Sequence, residues 1–431
     1  MRVLEVNDAG LRLSDGERVI ANEPGFASVS AEQVMVGEVA RRQARLSPRL
    51  SHSRFWYQLD QAPLDRPLGS VRNTADLAYW QLRQVRDAAD GEPLLLAVPS
   101  SFEADQLGLL LGLCRAAELG AVGLVDGAVA AVATRAVQGV VLHVDVQLHR
   151  VWMTRLDVGK AVVRGAGHDL AKPGMVTVWD AAATVIAEAF VKQTRIDPLH
   201  SAASEQTLYD ALPDWLAQVS VKPVTSLSMT VGGRSHRISL ARDTVVAALH
   251  PLLTRVTQAL RADVAAAPGA QVMLSDRAAA IPGLVEALTT ALGAAPQVLD
   301  ALATAKGALQ HRERIETTDE ALPWVTRLPV EPVSAPDIKA APAPAPSATP
   351  DPTSQPTHLL IGNEATDLQS VRLAEEWTLR IEQRDDGSIW LLADPMVQLN
   401  GTPLVTDQSL KPGDWLQVRD HVFRTIRVID S

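Results

Sequence analysis

One cysteine, Cys114, stands in 431 residues. A lone thiol excludes an intrachain disulfide and any multi-thiolate metal centre, and it suits a reducing compartment. Long apolar runs are missing too, since no stretch reaches the roughly 20 residues a membrane span needs. The opening "MRVLEVNDAGLRLSDGERV" has charges every few residues where a secretory signal would have an apolar core. The expectation is a cytoplasmic chain with no membrane insertion. Dense basic runs are absent, and a formal net charge of −10 argues against nucleic acid as a partner, because phosphate backbones are held by clustered Lys and Arg. Large apolar residues nearly vanish from "PVEPVSAPDIKAAPAPAPSATPDPTSQPTH", Pro329 to His358. Such a segment cannot offset its chain entropy by burial. Residues 329–357 therefore read as a Pro/Ala-rich tether between a large block, 1–328, and a small piece, 358–431.

The large block alternates in type. "RVLEV", "LRLS" and "RVIAN" read as short strands separated by the turn signals "NDAG" and "SDGE". "TADLAYWQLRQVRDAA" has helical spacing after a Thr cap, and "LLLAVPSSFEADQLGLLLGLCRAAEL" reads as a buried strand, a break and a long helix. "VGLV" and "GAVAAVATRA" add a strand and a helix. Period-two alternation restarts at "GVVLHVDVQLHRVWMTRLDVGKAVVRGAG", followed by amphipathic helices at "WDAAATVIAEAFVKQTR" and "DTVVAALHPLLTRVTQALRADVAAA", a strand at "AQVMLSD" and a helix at "IPGLVEALTTALG". Strands followed by alternating helices, twice over, indicate an architecture duplicated without repeated sequence. Single residues read plainly. Ser100 and Ser101 lack the flanking glycines of a nucleophile turn and are expected to cap a helix. Cys114 sits among leucines as a small apolar side chain. Trp80, Trp152 and Trp179 are expected in the core or between lobes. His143 and His149 alternate on one strand face, solvent-facing or bonding between lobes, without the third ligand a metal needs. An isolated Asp145 suits a turn better than a magnesium site; no metal site is expected.

Four segments in order resemble the nucleotide-binding domain of DnaK-type heat-shock chaperones, within the actin-like ATPase superfamily, over residues 1 to 311. They are "VMVGEVARRQARLSP", "LLLAVPSSFEADQLGLLLGLCRAAELGAVGLVDGAVAAV", "VMLSDRAAAIPGLVEAL" and "ATAKGALQ". The resemblance implies an α/β, two-lobed, duplicated ribonuclease H-like fold, with lobe I about 1–139 and lobe II about 140–311. It also implies a cleft that grips ATP and Mg through glycine-rich turns, because only glycine lets backbone N–H groups approach phosphate closely at positive φ. Those glycines are gone. The first phosphate turn becomes Glu5, Val6, Asn7, Asp8 and Ala9, a plain hairpin turn. In the second, Asp145 is followed by Gln147, Leu148 and His149, and the last two are expected to fill the phosphate's space. Gly127 stands where the family has a catalytic glutamate, Ser275 and Asp276 replace the adenosine-side glycines, and no lysine occurs from Pro48 to Ser70.

The carboxy-terminal piece has many short strands with turns at "RDDG", "LNG" and "KPGD", an all-β sandwich. It resembles a forkhead-associated (FHA) domain through "LIG", "LNGTPL" and "LKPGDWLQV". Such domains read phosphothreonine through an Arg, a Ser and an Asn. Here Asn363 stands in place of the Arg, Ala374-Glu375-Glu376-Trp377 in place of the Ser loop, and only Asn400 before Gly401 remains. The function expected from both resemblances is a catalytically degenerate module acting with its FHA-like piece as a bacterial cytoplasmic scaffold, with protein partners and no cofactor. The alternatives are an active ATPase of the chaperone class using ATP and Mg, with Asp8-Ala9-Gly10 as its first phosphate loop, and a phosphothreonine-reading adaptor.

Overall fold

The computed structural model describes residues 1–330 except 31–32, 69, 172–173 and 319–321, and then 356–361, 364–367, 381–384, 388–399, 402–411, 414–418 and 421–426. The chain divides into two units, Met1–Pro336 and Asp337–Ser431. It is a mixed α/β chain with several sheets.

Five strands build the first sheet of the large unit: β1 (Arg2–Glu5), β2 (Leu11–Ser14), β3 (Val19–Glu23), β4 (Leu94–Val98) and β5 (Ala121–Asp126). Their order is β3-β2-β1-β4-β5, with β1 antiparallel to β2 and parallel to β4. Since β4 is paired on both edges and covered on both faces, all of "LLLAV" is buried, which is why it reads as a continuous apolar run. A second sheet uses β6 (Gly139–Val146), β7 (Val151–Val158), β8 (Ala161–Ala171), β9 (Gln271–Leu274) and β10 (Gln297–Val298) in the order β8-β7-β6-β9-β10. Again the first strand is antiparallel to the second and parallel to the fourth. The same topology therefore occurs twice in one unit.

Between the sheets lie two helices of small residues, Gly127–Ala133 and Ala303–Gln310. They share one core with Val3, Leu95 and Val125 of the first sheet and Val141, Leu156 and Val162 of the second. Gly307 is required there, since an added Cβ would lie 1.8 Å from the Ala130 carbonyl oxygen. The outer face of the first sheet packs on the helices Thr74–Ala89 and Ala104–Ala116 through Leu77, Leu82 and Leu110; that of the second packs on Met175–Thr194 and Arg242–Ala266 through Ile186, Phe190 and Val256. The first of these helices is capped one residue earlier than expected. Asn73 accepts from the Asp76 N–H, while Thr74 Oγ1 donates to the Gln58 and Asp60 carbonyls.

Two further strands escape the sequence reading. β11 (Trp324–Val325) adds to the first sheet beside β5, and β12 (Arg327–Pro329) to the second beside β8. One short segment thus ties the sheets together. It also corrects the start of the tether: Pro329 pairs with Ala161, and the Val330 N–H reaches the Lys160 carbonyl at 3.1 Å. Residues 331–355, the bulk of that tether, lie outside the described residues.

The second unit holds a six-stranded and a three-stranded antiparallel sheet over a core of Leu391, Val397, Leu404 and Leu416. Among the described residues no helix of the chain is long and apolar enough to cross a membrane.

The strap β11–β12 yields a prediction. Leu328 is fully buried in the core between the sheets. Leu328→Ala should lower unfolding stability by about 2–5 kcal/mol in urea titration, whereas Val163→Ala, at a position 37% exposed on the neighbouring strand, should change it by less than about 1 kcal/mol.

Candidate functional site

The two topological counterparts, the β1–β2 turn and the β6–β7 turn, meet face to face. Asn7 Nδ2 donates to Asp145 Oδ2 at 2.8 Å and to the Val146 carbonyl at 3.1 Å. In return the Leu148 N–H donates to Asp8 Oδ1 at 2.7 Å. A carboxylate from one half thus takes a backbone donor of the other, the kind of donor an incoming phosphate would use. Gly25 holds Asp8 in position. Its N–H reaches the Asp8 carbonyl at 2.7 Å, and it lies so close that an added Cβ would come within 2.9 Å of the Asp8 Cβ.

Other donors of the two turns are also occupied within the chain. The Ala9 N–H bonds Asn7 Oδ1, the Gly10 N–H the Asn7 carbonyl, and the Gln147 N–H the Arg150 carbonyl. The helix Met175–Thr194 spends its first N–H groups on the turn, with Met175 bonding the Gln147 carbonyl at 2.9 Å and Val176 the Leu148 carbonyl at 3.0 Å. Gly174 permits this contact, because a Cβ there would lie 2.3 Å from the Gln147 oxygen.

Details of the expected obstruction are corrected. Gln147, Leu148 and His149 do not adopt positive φ, so the loop carries no such strain. Leu148 turns away from the cleft and packs, fully buried, with Phe26 and Ala40. His149 lies in the turn, beyond the end of β6, where its Nε2 donates to the Ser53 carbonyl at 2.9 Å, and burial pushes its pKa down. The residue that faces the cleft is Gln147, whose amide donates to Ser101 Oγ at 3.0 Å. His143, by contrast, is a strand residue buried against the cleft rather than solvent-facing, and its pKa is also pushed down by burial.

Two arginines complete the closure, and the sequence reading gave neither a role. Arg277 donates to Glu5 at 2.6 Å and to the Gly10 carbonyl at 2.8 Å. Arg12 donates to Asp276 at 2.7 Å and to the Ala301 carbonyl. Burial alone would lower the Arg277 pKa, but Glu5, Asp145 and Asp276 around it outweigh that and hold it above the ordinary value. Acids at cleft positions are thereby committed to fixed cations across the junction. Ser275 serves as a helix cap, accepting from the Ala278 N–H. At the meeting point of the two turns the cavity measures about 40 Å³ and is bordered by Asn7, Gly127, His143, Gln147 and Thr304. That is room for about three waters, far short of the several hundred Å³ of a typical small-molecule site. Among the described residues no group of three or more His, Cys, Asp or Glu is placed to hold a metal ion.

Ser100 and Ser101 bridge rather than cap. Ser100 Oγ donates to Asp126 at 2.9 Å, and the helix Ala104–Ala116 is capped by Glu103, whose N–H bonds Gln106 Oε1. Asp126, fully buried, accepts from the Val129 N–H and pairs at 3.2 Å with Arg164 from the other sheet, which stacks on Trp324 of the strap. Cys114 is buried, and burial pushes its thiol up to about 12, leaving it unreactive. The FHA-like positions Asn363, Ala374 to Trp377 and Asn400 lie outside the described residues.

No family model and no curated protein matches this chain. Its residues therefore carry the functional argument alone.

Asp8 gives the site a measurable signature. Burial, opposed by the Leu148 N–H and Arg150, raises its pKa from 3.8 to about 6. Its second oxygen is buried without a hydrogen-bond partner. A raised acid pKa means the folded state holds its proton more tightly, so this stability is fully present below pH 3.8 and is lost as pH rises through about 6. The stability of wild type minus that of Asp8→Asn should fall by about 3 kcal/mol between pH 4 and 7 and level off above. A pH-independent difference in chemical denaturation would contradict the assignment.

Proposed function

We propose that residues 1–330 form a two-lobed, actin-like module of duplicated ribonuclease H-like topology whose nucleotide cleft has become a permanent junction. Joined to an FHA-like unit, it serves as a cytoplasmic scaffold for protein partners. The repeated strand order with two small-residue helices between the sheets supports the fold reading. One observation carries the functional reading: the two turns that would hold a phosphate from opposite sides are hydrogen-bonded to each other, with the Asp8 carboxylate on the Leu148 N–H.

The loss of activity follows from what phosphoryl transfer requires. That chemistry depends on positioned donors and cations around the transferring group. Here the Ala9, Gly10, Gln147 and Leu148 N–H groups are engaged, and Arg12 and Arg277 are neutralised by Asp276 and Glu5. Opening the cleft would break these charge-assisted hydrogen bonds, each worth about 1.5–3 kcal/mol. A nucleotide would have to supply that energy before gaining any contact. With its engine closed, the module offers a fixed surface spanning both sheets, and rigid surfaces bind partners at low ordering cost.

Isothermal titration of the full chain with ATP and magnesium, alongside a phosphate-release assay, tests this reading. Neither binding heat nor release above background is expected. A dissociation constant near 10 μM or below, weakened by Asp145→Ala, would replace it with the ATPase alternative.

A further inference from the structure

A hairpin of two strands, Val224–Val231 and Arg234–Ala241, stands apart from the large sheets and, among the described residues, pairs only with itself. Thr225, Leu227 and Met229 are buried on its inner face, while Ser226, Ser228 and Thr230 are exposed on the other. The two-residue turn Gly232-Gly233 makes Val231 and Arg234 a hydrogen-bonded pair, and such pairs alternate along an antiparallel ladder. Val224, Ser226, Ser228 and Thr230 therefore direct their N–H and C=O groups outward, along the open edge of the first strand. The second strand confirms this phase. Ser239, opposite Ser226, turns its own N–H and C=O outward, and the Gln193 side-chain amide bonds both at 2.9 Å.

Gln193 thus guards one edge, and nothing guards the other. Among the described residues no group bonds the outward N–H and C=O of Val224, Ser226, Ser228 or Thr230. Edge strands are normally kept from pairing by a lysine, a proline or a bulge. Val224–Val231 has none of these, and its register runs unbroken for eight residues. At its start Val221 and Val224 are 78% and 57% exposed, so apolar surface adjoins the open edge. The charges around it have one sign. From Trp215 to Ala241 the chain has Lys222, Arg234 and Arg237 and no Asp or Glu, in a protein of formal net charge −10. All three cations are exposed, and among the described residues none has an acidic partner.

We propose that the open edge of Val224–Val231 docks an extended acidic segment of a partner protein, which adds as a third strand. This site names a partner chemistry for the scaffold reading, on which it rests, and makes no use of the cleft. Main-chain hydrogen bonds to the four outward residues supply affinity, as in other strand additions. Charge selects the occupant. Arg237 stands opposite Ser228, on the solvent face and about 10 Å from where an added strand would run. The small Ser226, Ser228 and Thr230 leave its guanidinium free to reach across to a carboxylate of that strand. Lys222 and Arg234 favour acids at the two ends. A second copy of the chain is the poorer occupant, because edge-to-edge pairing would set two such cationic hairpins side by side.

Fluorescence anisotropy of the full chain with a labelled ten-residue peptide, alternating Val or Thr with Glu, tests the site. Binding in the range of about 1 to 100 μM is expected, and the same peptide with Lys for Glu should bind about tenfold more weakly or worse. Amides within 224–231 should exchange hydrogen more slowly when the acidic peptide is present. Ser228→Pro removes an outward N–H that the hairpin itself does not use, so it should keep the thermal midpoint within a few degrees yet weaken binding about tenfold or more. Arg237→Glu should reverse the preference, binding the Lys peptide better than the Glu peptide, which loss of folding would not do. No binding of the acidic peptide at about 200 μM, equal binding of both peptides, an Arg237→Glu variant that keeps the wild-type preference, or a Ser228→Pro variant that binds like wild type would overturn it. Any of these would leave the nucleotide titration unchanged, so failure of the edge and failure of the closed cleft are read separately.

Discussion

The large unit depends on how two hairpin turns satisfy each other. Each is the first connection in its sheet, and the repeated topology brings them together where the two halves of the large unit meet. A turn at that place must find partners for its donors or leave them buried and unpaired, at about 1–3 kcal/mol each. The Asp8–Leu148 and Asn7–Asp145 bonds meet that demand from within the chain. Arg12, Arg277 and Gln147 follow from it, filling the remaining space with groups that have partners in the opposite half.

This arrangement fixes geometry more than it adds stability. Buried ion pairs gain little over well-packed apolar groups, but they tolerate few alternative arrangements. Most of the folding energy belongs instead to the three apolar layers around the two sheets. The strap β11–β12 adds a second tie by pairing with both sheets within six residues, Trp324 to Pro329, and Arg164 links that strap to Asp126. Opening the junction would therefore disturb polar and apolar contacts together, which is why the proposed role is a fixed scaffold rather than a cycling motor.

Much of this is legible in the sequence. The "NDAG" hairpin, the buried strand at Leu94, the helices around it and the restart at Gly139 all carry local signals of periodicity and turn chemistry, and each forms. Elements set by distant partners are not. β11 and β12 are two and three residues long and exist only because β5 and β8 present open edges. The helix Ala202–Val221 is obscured by Pro213 inside it. The hairpin Val224–Ala241 did carry a signal in Gly232 and Gly233, which adopt φ of 57° and 76°, as its tight turn requires. At the cleft the missing glycines revealed what was lost, but not that Asp8 reaches a backbone donor 140 positions away. Sequence spacing has no means of showing such a contact.

The most direct test of a permanently closed junction is the distance between the halves, with and without nucleotide. Spin labels at exposed Arg54 and Ala203 report it by pulsed electron paramagnetic resonance in a spin-diluted sample, and the buried Cys114 should escape labelling. The account predicts one narrow distance distribution that ATP and magnesium leave unchanged. A second, longer population, or a shift of several ångströms on adding nucleotide, would contradict it.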